Sequence, residues 1–130
     1  MNNVEYLVDK NIVIDFLYGK TELFNLFDDV SKIGISIVSV AEIYAFSKTL
    51  QDNGRSFSLC KDFCSTLEQF SVTEELLDTF SDLKNRCEDK GVHLSNNQLW
   101  VASTAVYYKL TLISDDSNYD CFDELKRKKY

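Results

Sequence analysis

A chain of 130 residues, 45% of them hydrophobic and 13% aromatic, can bury a sizeable core and is too apolar to stay disordered. Proline is absent and glycine numbers 4, which excludes a Gly/Pro-rich linker, so one domain covering residues 1–130 is expected. The formal net charge of -7 argues against unaided binding to a phosphate backbone, but is compatible with a nuclease that works through bound cations or with a basic polypeptide partner. No basic segment followed by a long apolar stretch opens the chain. No secretory signal or membrane-spanning helix is therefore expected, and the expected location is cytoplasmic. Cys60, Cys64, Cys87 and Cys121 form no Cys-x-x-Cys pair and His93 is the only histidine, a set without the usual spacing of a zinc site. Cys60 and Cys64 fall one helical turn apart near Phe57, Phe63 and Leu67, and read as reduced, buried hydrophobes.

In chain order, Val4 to Val8 reads as a buried parallel strand, apolar except at Glu5. Asn11 to Tyr18 has Ile12, Val13, Phe16 and Leu17 at helical spacing and stops at Gly19. Thr21 is expected to cap a second short helix bearing Leu23, Phe24, Leu26 and Phe27. Ile35 to Val38 reads as the second strand, and Ser39-Val40-Ala41-Glu42 has the form of a capping box opening a helix towards Asp52. After the Asn53-Gly54 turn, Leu59, Phe63, Leu67 and Phe70 mark a helix from Ser56 to about Gln69, with a short strand near Phe70 to Val72. Thr73 begins another helix, carrying Leu76, Leu77, Phe80, Leu83 and Cys87 and closed by Gly91. Asn96 or Asn97 caps a helix through Trp100, Val101, Thr104, Ala105 and Tyr108, and Leu110 to Ile113 is the last strand. His93 reads as a surface residue between two helices, Trp100 as core or interface, and Lys126 to Lys129 as a solvated chain end with RNA phosphates as its alternative contact. Strands alternating with helices imply an α/β three-layer sandwich, with a central, mostly parallel sheet of four to five strands and helices on both faces.

One pattern recurs. Asp9 follows the run ending at Val8, Glu42 follows Ile35 to Ser39, and Asp116 follows Leu110 to Ser114. If those runs are neighbouring parallel strands, the three carboxylates gather at one end of the sheet, where open α/β folds bind ligands. Singly, each acid has a structural explanation: Asp9 as a helix cap, Glu42 as the partner of Ser39, Asp115 and Asp116 as turn residues. Together they point to a site for a hard divalent cation, which oxygen ligands suit.

The segment Val8-Asp9-Lys10-Asn11-Ile12-Val13-Ile14-Asp15-Phe16-Leu17 resembles the opening motif of PIN domains, a strand followed by Asp-Thr/Ser-Asn and an apolar helix. Ser36-Ile37-Val38-Ser39-Val40-Ala41-Glu42-Ile43 resembles the second motif, and Asn97-Gln98-Leu99-Trp100-Val101-Ala102-Ser103-Thr104-Ala105 the third. Leu112-Ile113-Ser114-Asp115-Asp116 resembles the fourth, in the same order across nearly the whole chain. The resemblance, closest in length to VapC-type toxins of toxin–antitoxin pairs, implies a metal-dependent ribonuclease using one or two Mg²⁺ or Mn²⁺ ions. It implies Asp9 as central ligand, Glu42 as a ligand directly or through water, and Asp116 completing the set. Asn11 and Ser114 would orient those carboxylates. An RNA substrate, a small antitoxin and a homodimer follow from the same likeness.

Two positions depart from the pattern. Gln98 stands where the family has Asp, and an amide supplies neither negative charge nor a base. Lys10 replaces the usual Thr or Ser; it either extends into solvent beside the sheet or brings its ammonium into the acid cluster. The competing function is a PIN fold with a weakened or inactive site, retained as a protein- or RNA-binding module. A nucleotide-binding α/β domain ranks lower, because no glycine-rich phosphate loop occurs.

Overall fold

The computed structural model describes residues 3–130; Met1 and Asn2 of the expected 1–130 domain lie outside the described residues. Five strands form one sheet: β1 (Tyr6–Val8), β2 (Ile33–Ser36), β3 (Glu68–Phe70), β4 (Thr111–Ile113) and β5 (Arg127–Lys128), in the order β3-β2-β1-β4-β5. Every pairing is parallel, and Leu7 at the centre lies opposite Gly34 on one side and Leu112 on the other. Five helices connect them: α1 (Lys10–Leu17), α2 (Ile37–Lys48), α3 (Arg55–Cys64), α4 (Leu77–Lys90) and α5 (Asn96–Tyr108).

The three inner strands, β1, β2 and β4, are largely apolar because both faces of the sheet are covered there, whereas the edge strands β3 and β5 carry Glu68, Gln69, Arg127 and Lys128. Side chains alternate along a strand, so Val8 and Ile113 point to one face while Leu7 and Leu112 point to the other. On the first face they meet Ile12 and Val13 of α1, Val40 and Ile43 of α2, and the buried free thiols Cys60 and Cys64 of α3. On the second they meet Leu83 and Cys87 of α4 and Leu99, Ala102 and Ala105 of α5, with Tyr119 and Phe122 beneath. Each large aliphatic side chain so buried contributes about 1.5–3 kcal/mol. Trp100 stacks on Phe80 with ring centroids 3.9 Å apart, tying α5 to α4. Among the described residues, no helix is long and apolar enough to cross a membrane.

Several boundaries differ from the sequence expectation. The second strand is Ile33–Ser36 rather than Ile35 to Val38, and α2 starts at once behind it. Gly34 permits this register, since a Cβ there would overlap the Phe70 ring of β3. The cap of α2 is then Ser36, whose Oγ accepts from Val38 N at 3.2 Å. Ser39 is buried inside the helix with its hydroxyl unpaired, so no Ser39–Glu42 capping box exists. The short helix expected after Thr21 is instead three 3₁₀ turns, Thr21–Leu23, Leu26–Asp28 and Val30–Lys32. Asp29 bonds Ser31 N locally, a competing arrangement that ends helical continuation.

The third helix closes at Cys64, so Leu67 and Phe70 belong to the approach and end of β3, not to a helix. A 3₁₀ turn, Glu74–Leu76, precedes α4, and Gly91 ends it in the left-handed conformation at φ 67. Ser95, not Asn96 or Asn97, caps α5. Finally, Lys126 to Lys129 keeps its lysines exposed but is not a loose end: Arg127 and Lys128 add the fifth strand, and Arg127 forms a two-bond ion pair with Asp120, each bond 2.8 Å.

Candidate functional site

From β1 the chain builds outward through β2 and β3, then returns to place β4 and β5 on the other side of β1. Connections leaving β1 and β4 therefore diverge, opening a crevice beyond the carboxyl ends of these two strands. Asp9 directly follows β1, and its N–H extends the strand ladder by donating to the Ile113 carbonyl of β4 at 3.0 Å. Its carboxylate turns back to cap α1: Oδ1 accepts from Lys10 N at 2.9 Å, and Oδ2 accepts from the Ser114 hydroxyl at 2.8 Å.

Ser114 is buried at the end of β4 and is the hinge of this arrangement. Its Oγ donates to Asp9 and accepts from Asp116 N at 3.1 Å, while its backbone N–H donates to the Lys128 carbonyl of β5 at 3.1 Å. Arg127 donates from Nη1 to the Ser114 carbonyl at 3.0 Å, so the fifth strand steadies the same residue. Asp116 begins a 3₁₀ turn, Ser117–Cys121, and its Oδ1 accepts from Asn118 N at 2.9 Å.

Its other oxygen, Oδ2, accepts from Gln98 Nε2 at 2.7 Å. Gln98 also serves the capping box of α5: Ser95 Oγ accepts from Gln98 N at 3.1 Å, and Gln98 Oε1 accepts from Ser95 N at 3.0 Å. These partners fix the amide's orientation, because a backbone N–H only donates and a carboxylate only accepts. The oxygen that could ligate a cation thus faces Ser95, and the amide NH₂ faces Asp116.

Glu42 reaches the cleft from the second turn of α2. With Ser36 as cap, Glu42 has no capping duty, and its Oε2 accepts from Lys10 Nζ at 2.7 Å. Lys10 therefore enters the acid cluster instead of extending beside the sheet. The pair is half-open to solvent, with side-chain exposures of 36% and 27% for Lys10 and Glu42.

A cleft of about 280 Å³ is lined by Asp9, Lys10, Asn11, Glu42, Gln98, Ser114 and Asp116, every residue singled out in the sequence. Asn11 lies on its exposed rim and makes no side-chain hydrogen bond to the carboxylates among the described residues. Three further contributors were not anticipated. Ser95 was legible from the Ser-x-x-Gln spacing of a capping box, whereas Tyr119 and Arg127 carry no local signal. Burial pushes the Asp9 carboxyl above its usual range, reinforced by the nearby Asp116 charge and opposed by the bonds from Ser114 and Lys10. Tyr119 lies fully buried with its hydroxyl unpaired. Burial, then the charges of Asp9 and Asp116, hold its phenol far above the normal range, and the neighbouring Gln98 side chain offsets little of this.

The lining suits a hard cation in kind: its charged ligands are carboxylates, and burial of Asp9 beside Asp116 leaves negative charge that a cation would relieve. As arranged, no group of three or more His, Cys, Asp or Glu side chains among the described residues is gathered around a common metal position. The donor set fits a divalent ion at Asp9 and Asp116, with Glu42 held by Lys10.

A sequence model of the PIN domain matches residues 6–128. The chain is 24% identical over 115 residues to "Ribonuclease VapC2" of Haemophilus influenzae, covering 87% of each. It shares its fold with a chain of VapBC2 from Rickettsia felis, a structure described as bound to a DNA fragment from their promoter. There the TM-score is 0.85 at 22% identity, over 97% of this chain and 98% of that one. A second structure, of a member of the VapBC family of toxin–antitoxin systems from Mycobacterium tuberculosis, has a TM-score of 0.72 at 14% identity. It covers 98% of this chain and 99% of that one.

Proposed function

We propose, from the premise that this chain belongs to the PIN domain family, that it is a divalent-metal-dependent endoribonuclease and the toxin of a toxin–antitoxin pair. One observation carries the reading. Acids from separate elements, Asp9 after β1, Glu42 on α2 and Asp116 after β4, line a single cleft at the point where the strand order reverses. The likeness to VapC2 and to VapBC structures supports the choice of RNA as substrate and of a small antitoxin as partner. Homodimerisation and a cytoplasmic location belong to the same proposal, as does a single domain for the whole chain.

Asp9 and Asp116 are the catalytic carboxylates that would hold Mg²⁺ or Mn²⁺, and Glu42 is the third acid of the set. When bound, the ion supplies Lewis acidity, lowering the pKa of water and offsetting charge on the scissile phosphate. The chain's own contribution is placement. Ser114 holds Asp9 and Asp116 in register through one hydroxyl. Ile12 lines the cleft, Tyr119 is buried near Asp9 and Asp116, and Gln98 orients Asp116 without adding charge. A single Ser114→Ala change would remove one bond to the Asp9 carboxylate and the bond that anchors the Asp116 backbone N–H.

Lys10 and Gln98 keep a second reading in view, a PIN fold that binds RNA or protein without cleaving. The two separate on induced expression in a bacterial host. The wild-type chain is expected to arrest growth and to generate new RNA 5′ ends, whereas Asp116→Asn does neither. Arrest without new RNA ends contradicts the nuclease reading and favours a binding module.

A further inference from the structure

We infer that the Lys10 ammonium is the resident cation of the cleft, competing with the divalent ion for Glu42. The inference rests on the metal-dependent reading given above. The contacts of Lys10, Glu42 and Gln98 lead to it. Lys10 Nζ lies 2.7 Å from Glu42 Oε2, the distance of a charge-assisted hydrogen bond. Lys10 is the first residue of α1, immediately after Asp9, so its charge also acts on the Asp9 carboxylate. Glu42 has been released from any cap by the placement of Ser36, and Lys10 is its hydrogen-bonding partner. At the far wall, Gln98 presents its NH₂ rather than its oxygen to Asp116.

Each of these changes works in the same direction. An ammonium donates to one acid and an amide NH₂ donates to another, so protein donors occupy sides of Glu42 and Asp116 that a cation would need. The cleft is partly neutralised from within. A divalent ion bound by Asp9 and Asp116 must then either do without Glu42 or displace Lys10 from it. Because the pair is only half-buried, displacement costs a solvated ion pair rather than a buried one. Lys10 thus sets a threshold for metal loading: the site fills at high divalent concentration and stays latched at low concentration.

The test is Mn²⁺ titration of the chelator-stripped full chain, followed by calorimetry, with thermal melting of each variant as a check on folding. Lys10→Met keeps the aliphatic stem and removes the charge, and should tighten Mn²⁺ binding about tenfold. Lys10→Thr repeats the measurement should the methionine disturb α1. The double variant Lys10→Met/Glu42→Gln removes both members of a neutral pair and should bind Mn²⁺ as the wild type does, because the pair gives the ion no ligand. Unchanged affinity in Lys10→Met and Lys10→Thr overturns the inference. So does a double variant as weakened as Asp9→Asn, which would make Glu42 a ligand despite Lys10. In both of those outcomes the wild type still binds Mn²⁺ through Asp9, and the metal-dependent reading stands. If no variant binds Mn²⁺, both fall together.

Discussion

At the residue scale, Asp9 carries two loads that conflict. As the cap of α1 it needs only an acceptor, which Asn provides about as well as Asp; as a carboxylate it is charged in a buried setting beside Asp116. Its folded-state pKa is raised above the unfolded value, so the native protein keeps a proton where the unfolded chain has lost it. Stability therefore falls as pH rises through the window between the two values, and the full penalty is present above it. Asp9→Asn is accordingly expected to melt higher than wild type at pH 7 in the presence of chelator. The advantage should vanish at about pH 3, below the unfolded value. Equal melting temperatures at pH 7 would show that the Ser114 and Lys10 bonds already compensate the buried charge. The same geometry explains how a residue that looks like an ordinary cap in the sequence comes to line the cleft: capping fixes where its oxygens point, and the fold then surrounds them.

Among elements, α2 is the one whose exact start decides the site. Placing the cap at Ser39 would have given Glu42 a backbone partner and tied it to the helix end. Moving it to Ser36 puts Glu42 a turn further along, where it meets Lys10. The β-branched run Ile35, Ile37 and Val38 favours strand by local preference, yet β2 ends at Ser36 and α2 begins at Ile37. Stability should report this directly. Ser36→Ala is expected to cost about 1 kcal/mol, the usual value of a lost cap. Ser39→Ala removes a buried hydroxyl that has no partner and should be neutral or slightly stabilising. Denaturant melts of the two variants check the assignment, and a cost at Ser39 matching that at Ser36 would return the cap to Ser39.

Over the whole molecule, what the sequence made legible was what local chemistry encodes. Apolar runs ending in acids marked β1 and β4, but the strand order that sets them side by side at the centre of the sheet was not readable. The Gly91 stop and the Asn53-Gly54 turn were readable because both need left-handed backbone, seen at Gly91, Asn53 and Gly54. Features that rest on long-range pairing were not readable. Two residues, Arg127 and Lys128, form a strand only because β4 offers a free edge, and Asp120 then neutralises Arg127. In the cleft, the acids, Lys10 and Gln98 were legible as lining residues, whereas Ser95 and the bonds that join them were not read. No spacing rule tells that Lys10 turns to Glu42, 32 positions away, or that Ser114 bridges to Asp9 across 105. These bonds decide how much negative charge the cleft presents, and so bear on whether the altered site still loads metal and turns over.

The most direct test of that account is cleavage of a single-stranded RNA by the purified wild-type chain beside Asp9→Asn, each titrated with Mn²⁺ and each controlled with chelator for trace nuclease. The account predicts cleavage by the wild type that rises with Mn²⁺, stops with chelator and is lost in Asp9→Asn. Cleavage of equal rate in Asp9→Asn would contradict it.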